Sequence, residues 1–135
     1  MRVYKVVKRR EGRLFSAVVE GRAEVEYKKG VWTTPPRWLE EKGYLLTAFR
    51  SLEQAIKFYH VNQFSLFKRL GQSPPPGSLE IWEAEVGEGE WKVVQLPQLD
   101  FFLLGKGKIS IWGEENEWPP GTIMAKRIRL LKKVY

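Results

Sequence analysis

The stretch RVYKVVKRREGRLFSAVVE, residues 2–20, decides the fold class. Residues 2–8 and 13–20 are rich in β-branched and aromatic side chains. The intervening Arg9-Arg10-Glu11-Gly12 carries a glycine where a tight turn needs positive φ, so the pattern predicts two strands joined by a turn. Apolar residues occupy both parities, Val3 and Val7 against Tyr4 and Val6, which predicts strands covered on both faces for part of their length. Working outward, Glu24 to Tyr27 reads as a third short strand closed by Lys28-Lys29-Gly30. Residues 31–42 hold Pro35-Pro36 and no convincing period, and read as a loop. Tyr44 to Phe49 reads as a compact apolar strand.

Ser51 has the position of a helix N-cap, with Gln54 three residues on completing a capping box. Leu52, Ala55, Ile56 and Tyr59 then fall on one stripe, predicting a principal helix over about 51–60. Leu66, Phe67 and Leu70 extend the stripe, and a break near 60–62 leaves a continuation over 63–70 open. After Pro74-Pro75-Pro76-Gly77, Leu79 to Val86 and Glu90 to Leu96 read as a hairpin around Gly87-Glu88-Gly89. Leu99 to Leu104 is a strand or one helical turn, and Lys108 to Trp112 alternates as a strand. For residues 122–135, local propensity favours helix, while the preceding Pro119-Pro120-Gly121 and the strand-rich context favour strand with a bulge near Lys126. The strand is the reading adopted. The expectation is a single α+β domain over 1–135, with a twisted, mainly antiparallel sheet of six to eight strands and one principal helix.

Composition narrows the chemistry. There is no cysteine and one histidine, so disulfides, thiolate catalysis and conventional zinc sites are excluded, and no metal or cofactor is expected. The longest apolar run, Phe101 to Leu104, is far short of a membrane span, and Met1-Arg2-Val3-Tyr4-Lys5 carries no signal-peptide stretch. An intracellular, cytoplasmic, soluble protein with no membrane partner is expected. Aspartate occurs once, at Asp100, among 16 acidic residues, and a Glu/Lys/Arg surface with few labile amides points to a thermophile. The net charge is +7, and it is polarised. Lys126, Arg127, Arg129, Lys132 and Lys133 crowd the C-terminal part, Lys8, Arg9, Arg10 and Arg13 the first turn, and the acids cluster at Glu80 to Glu90 and Glu114 to Glu117.

No constellation amounts to a catalytic mechanism, and a non-enzymatic protein is favoured. Glu83 and Glu85 project to one side of a strand, where two carboxylates can split their pKa values or simply face solvent. His60 has no nucleophile motif beside it, and Gly105-Lys106-Gly107-Lys108 lacks the spacing of a phosphate loop. The tail cations Lys126, Arg127, Arg129, Lys132 and Lys133, with Trp32, Arg37 and Trp38, have the ingredients of nucleic-acid contact: cations for phosphates and rings for bases. The same charges also suit a solvated edge strand that resists aggregation. A binding or interaction protein with nucleic acid as partner is the leading expectation.

The segments Val3-Tyr4-Lys5-Val6-Val7, Ser16-Ala17-Val18-Val19, Val25-Glu26-Tyr27, Trp32-Thr33, Gly43-Tyr44-Leu45-Leu46, Phe49, Ser51-Leu52-Glu53-Gln54-Ala55 and Ile81-Trp82-Glu83-Ala84-Glu85-Val86 follow one another in an order that resembles a group of small prokaryotic and phage proteins. The order is also similar to the split sheet of ADP-ribosyltransferase-like domains. That resemblance implies, as the alternative, an NAD-binding enzyme or its inactive descendant, with a cleft near Tyr4, Ser16, Tyr27, Glu83 and Glu85. The chain departs from the pattern in lacking a Ser-Thr-Ser strand and in placing its sole histidine in a helix, so fold can be carried without activity.

Overall fold

The structure, a computed structural model, describes residues 1–17, 24–41, 45–60, 79–93 and 121–135. Nine strands and two helices fall within them: β1 (Arg2–Arg10), β2 (Arg13–Ser16), β3 (Glu26–Tyr27), β4 (Trp32–Thr33), α1 (Arg37–Glu41), β5 (Leu46–Phe49), α2 (52–60), β6 (Leu79–Val86), β7 (Trp91–Val93), β8 (Thr122–Ala125) and β9 (Ile128–Lys133). The chain is mixed and strand-rich, with one open antiparallel sheet ordered β4-β9-β6-β1-β5-β8-β7. β2 and β3 branch off β1.

The opening hairpin forms as its sequence predicts. Arg10 pairs with Arg13 across a two-residue turn in which Glu11 (φ 53°) and Gly12 (φ 75°) both take positive φ, the twist that suits two flanking strands. β1 then lies in the middle of the sheet. One edge pairs with β6 from Arg2 to Lys8, and the other is divided between β5, at Tyr4–Phe49, and β2, from Val7 onward. β1 is also covered on both faces: Val3, Val6 and Val7 are fully buried. Each such side chain contributes about 1.5–3 kcal/mol relative to an exposed one.

Each face of the sheet has its own core. Val3 and Val7 of β1 meet Leu14, Tyr27, Leu46, Ala48, Trp82, Ala84, Val86, Ile123, Ala125, Ile128 and Leu130 on the inner face. Val6 joins Ala17, Phe49, Leu79 and Ile81 beneath Ala55 and Phe58 of α2 on the outer face. Ser51 caps α2 as expected, its Oγ accepting from the Gln54 backbone N–H at 3.2 Å, and its hydroxyl donates to Gln54 Oε1 at 3.0 Å.

Several expectations change. Among the described residues the strands number nine rather than six to eight, because Trp32–Thr33 pairs with β9 and the tail is two strands. The segment read as a loop contains β4 and α1. Pro36 opens that helix, its carbonyl accepting from Leu39 and Glu40 at 3.0 and 3.1 Å, and a proline in a first turn loses no intrahelical bond. The tail is a strand, as adopted, but it breaks at 126–127 instead of bulging there. β6 and β7 do not pair as a hairpin, since β1 and β9 occupy both edges of β6 and β7 pairs with β8. The register explains the arrangement. Val86 faces Ile128 and Trp91 faces Ala125, so the arms 79–93 and 122–133 run side by side and bend together at 87–90 and 126–127. Paired strands that bend in this way turn a corner and curve a sheet around its inner face. The calls on 63–70, 99–104, 105–108 and 108–112 lie outside the described residues.

Candidate functional site

β9 alternates as a strand must. Ile128 and Leu130 are buried in the inner core, so Arg129 points to the opposite side. Alternation alone would send Lys132 inward with Leu130. A bulge prevents this: Ala84 faces Leu130 but Glu83 faces Lys132, leaving Leu131 as the extra residue and returning Lys132 to the side of Arg129. β4 pairs along the outer edge of β9 and sets Trp32 directly across from Arg129. The guanidinium carbons of Arg127 and Arg129 lie 4.4 and 4.7 Å from the centre of the Trp32 ring. Cation–π contacts of this kind contribute about 0.5–1 kcal/mol at exposed positions.

β6 supplies the counterions. Glu85 faces Arg129 across the strands and pairs with it, and Glu83 lies 3.5 Å from Lys132 and 3.6 Å from Arg2. At the corner, Arg127 Nε lies 3.3 Å from Glu90. Gly87 makes that corner possible, because a Cβ there would come within 2.7 Å of the Glu90 carboxyl and 2.9 Å of Arg127 Nε. The Nε atoms of Arg127 and Arg129 are buried and lack a hydrogen-bond partner. Both side chains nevertheless remain about two-fifths exposed, at 42% and 36%.

Of the predicted basic set, the structure thus unites Trp32, Arg127, Arg129 and Lys132. Lys126 is exposed beside them, its amide donating to Glu90 O at 2.9 Å. Lys133 is opposite Trp82, a residue of the inner core, so it points away from the strip. Arg37 lies on α1 and pairs with Glu41 at 3.2 Å, and Trp38 is half-buried on the same helix. Sequence reasoning missed Lys28 and Lys29. Both are exposed, and Lys29 bridges Leu130, which brings them to the same edge. Their signal was the Lys-Lys-Gly turn, read only as a strand terminator.

The five residues of the alternative cleft divide between the faces. Tyr4 packs against the outer core, and Glu83 and Glu85 alternate with Trp82, Ala84 and Val86 and so share the outer side. Tyr27 belongs to the inner core, and Ser16 is buried one hydrogen-bonding step away, its hydroxyl accepting from the Val25 amide at 3.0 Å. Glu83 and Glu85 are cross-strand partners of cations rather than a pair sharing one site.

The inner face carries charges the sequence did not announce. Lys5 is 1% exposed, and its ammonium donates to Thr47 O at 2.6 Å where β5 and β2 part along the edge of β1. It also lies 5.0 Å from the centre of the Tyr27 ring. Burial lowers the Lys5 pKa to about 7 and raises that of Tyr27 well above the phenol range, the latter against a smaller opposing effect of the Ser16 hydroxyl. Glu80 is 3% exposed and accepts from Arg9 Nε at 2.5 Å, Arg9 Nη2 at 3.1 Å and Trp82 Nε1 at 3.1 Å. Burial pushes the Glu80 carboxyl up, but the hydrogen bonds from Arg9 and Trp82, with the charges of Arg9 and Lys133, hold it below the usual carboxylate range.

His60 is exposed at the end of α2, with its Nε2 3.0 Å from the Tyr135 hydroxyl. Among the described residues no group of His, Asp or Glu is placed to hold a metal ion, and no helix is long and apolar enough to cross a membrane. No protein-family model, curated protein or solved structure matches the chain.

Proposed function

We propose that this chain is a non-enzymatic binding protein whose β4–β9 strip contacts nucleic acid. The observation that carries the reading is the placing of Arg127 and Arg129 over the Trp32 ring, one residue just before β9, one within it and one on the neighbouring β4, at the sheet's edge. Around it stand Lys28, Lys126 and Lys132, exposed side chains suited to neutralising phosphates. The counterions Glu83, Glu85 and Glu90 support the reading by fixing where the arginines sit, and cations outnumber carboxylates along the strip. The alternative of an ADP-ribosyltransferase-like enzyme has no comparable support, because its cleft residues lie on two faces of the sheet.

The test is fluorescence anisotropy with labelled oligonucleotides at ~50 and ~200 mM salt, an interval over which several phosphate contacts change affinity by orders of magnitude. Binding at the lower salt that weakens across the interval is expected. Charge reversal at Lys126, Arg129 and Lys132 to Glu should abolish it while circular dichroism remains that of the wild type. No binding at ~50 mM salt would refute the reading.

A further inference from the structure

We infer that the strip selects single-stranded over double-stranded nucleic acid, by stacking an unpaired base on the outer guanidinium face of Arg127 or Arg129. This rests on the reading just proposed. An arginine offers a ligand either its edges, which clamp a phosphate bidentately, or its plane, which stacks on a ring. Here one side of each is committed. The Nε atoms of both arginines are buried, Arg127 Nε faces Glu90 at 3.3 Å, and Arg129 Nη2 is held by Glu85. Neither guanidinium can therefore turn its Nε side to a phosphate. The guanidinium carbon of each lies over the Trp32 ring, at 4.4 and 4.7 Å from its centre. With 42% and 36% of these side chains exposed, both remain within reach of a ligand.

A guanidinium plane braced by a ring beneath and a carboxylate at its edge is a platform for a nucleobase, and bases stack on arginine planes when they are unpaired and splayed. A duplex keeps its bases stacked on one another and presents phosphates, to which neither arginine can offer its Nε side. Phosphate contact falls chiefly to Lys28, Lys126 and Lys132. Those contacts set the salt dependence, each neutralised phosphate contributing about −0.7 to the slope for a single strand.

Three labelled probes of equal length separate the possibilities: a single strand, the corresponding duplex, and an abasic single strand that keeps the phosphates and lacks the bases. The expected result is that the full chain binds the single strand roughly tenfold or more tightly than either other probe, the order expected from one stacked base. Arg127→Lys and Arg129→Lys, which keep charge and lose the plane, should erase most of that preference, with thermal melting to check that the fold is intact. Equal binding of all three probes, or lysine variants with undiminished preference, would overturn the inference and leave the nucleic-acid reading standing. Binding of none of them at ~50 mM salt would remove both.

Discussion

Glu80 and Glu85 stand on the same strand and each holds an arginine, yet the two pairs differ in kind. Glu80 is 3% exposed on the inner face, with Arg9 on one side and the Trp82 indole on the other. Glu85 is 28% exposed on the outer face, with Arg129 between it and Trp32. They are five positions apart, an odd offset, so strand alternation puts them on opposite faces, and the faces have different surroundings. Inside, the ion pair satisfies a carboxylate that cannot reach water. Outside, the same chemistry orients a charge that a ligand can still reach. Lys5 extends the inner pattern and Lys132 the outer one. The lesson is that the basic character of this chain has two unrelated parts, one serving the fold and one available for contact.

The largest effect expected from this contrast is at Lys5. Its folded pKa of about 7 lies below the 10.5 of an unfolded lysine. Between those values the unfolded chain holds a proton that the folded chain has released, so stability rises with pH across that window and is flat below it. The rise should amount to several kcal/mol at most, read by urea denaturation at a series of pH values. Lys5→Met should remove the slope. A wild-type chain with equal stability at pH 7 and pH 10 would break the contrast on its inner side.

Next comes Glu80→Ala, expected to destabilise by about 2 kcal/mol. Removing one member of a fully buried pair costs about 3–5 kcal/mol, but Arg9 is 40% exposed and can find water. Glu80→Gln, which still offers Trp82 and Arg9 an acceptor, should lose less. The wild-type chain should also lose this contribution as pH falls from the unfolded carboxylate value of 4.5 through the lower folded one. At the strip, Trp32→Ala should leave the melting temperature within a few degrees of wild type while weakening oligonucleotide binding about tenfold, since an exposed cation–π pair contributes little to stability. Gly87→Ala should act in the same direction and more weakly, by displacing Arg127 and Glu90 from the corner.

The smallest effect sharpens the comparison instead of breaking it. The first hairpin carries its own stack, with Arg10 and Arg13 at 4.2 and 5.4 Å from the Phe15 ring and bound to Glu24 and Glu26. Arg13 donates twice to Glu26 at 2.7 Å, but the pair is exposed. Arg13→Ala should leave both the melting temperature and the oligonucleotide affinity close to those of the wild type. If it weakened binding as Trp32→Ala does, arginine–aromatic contact in general, and not the strip, would be the operative feature.

What the sequence disclosed follows the range of the forces involved. The turn at Glu11-Gly12, the cap at Ser51 and Gln54, and the alternation of Leu79 to Val86 are local, and each was legible because a few adjacent residues decide it. Trp32 and Arg129 were both singled out, but nothing in either segment indicates that they are cross-strand neighbours. That contact depends on β9 choosing β6 and β4 as partners. Glu83 and Glu85 were legible as one side of a strand, and their role as counterions was not, for the same reason. The helix after Pro36 was missed because a proline pair reads as a break, although a helix's first turn tolerates it. Lys5 gave no sign of its burial, since a lysine between valines is ordinary on a half-exposed strand and β1 has no exposed face there.

The central place of β1 also sets the order of events in time. Its β6 partners lie far along the chain, with Arg9 and Glu80 71 residues apart, whereas β2 follows after a two-residue turn. Closing a long loop precedes any gain from pairing its ends, so the hairpin is the native structure that can form early and the sheet must wait for distant segments to arrive. Gly12 therefore holds a kinetic position: Gly12→Val, strained at φ 75°, is expected to slow refolding more than it speeds unfolding, as the two arms of a denaturant chevron would record.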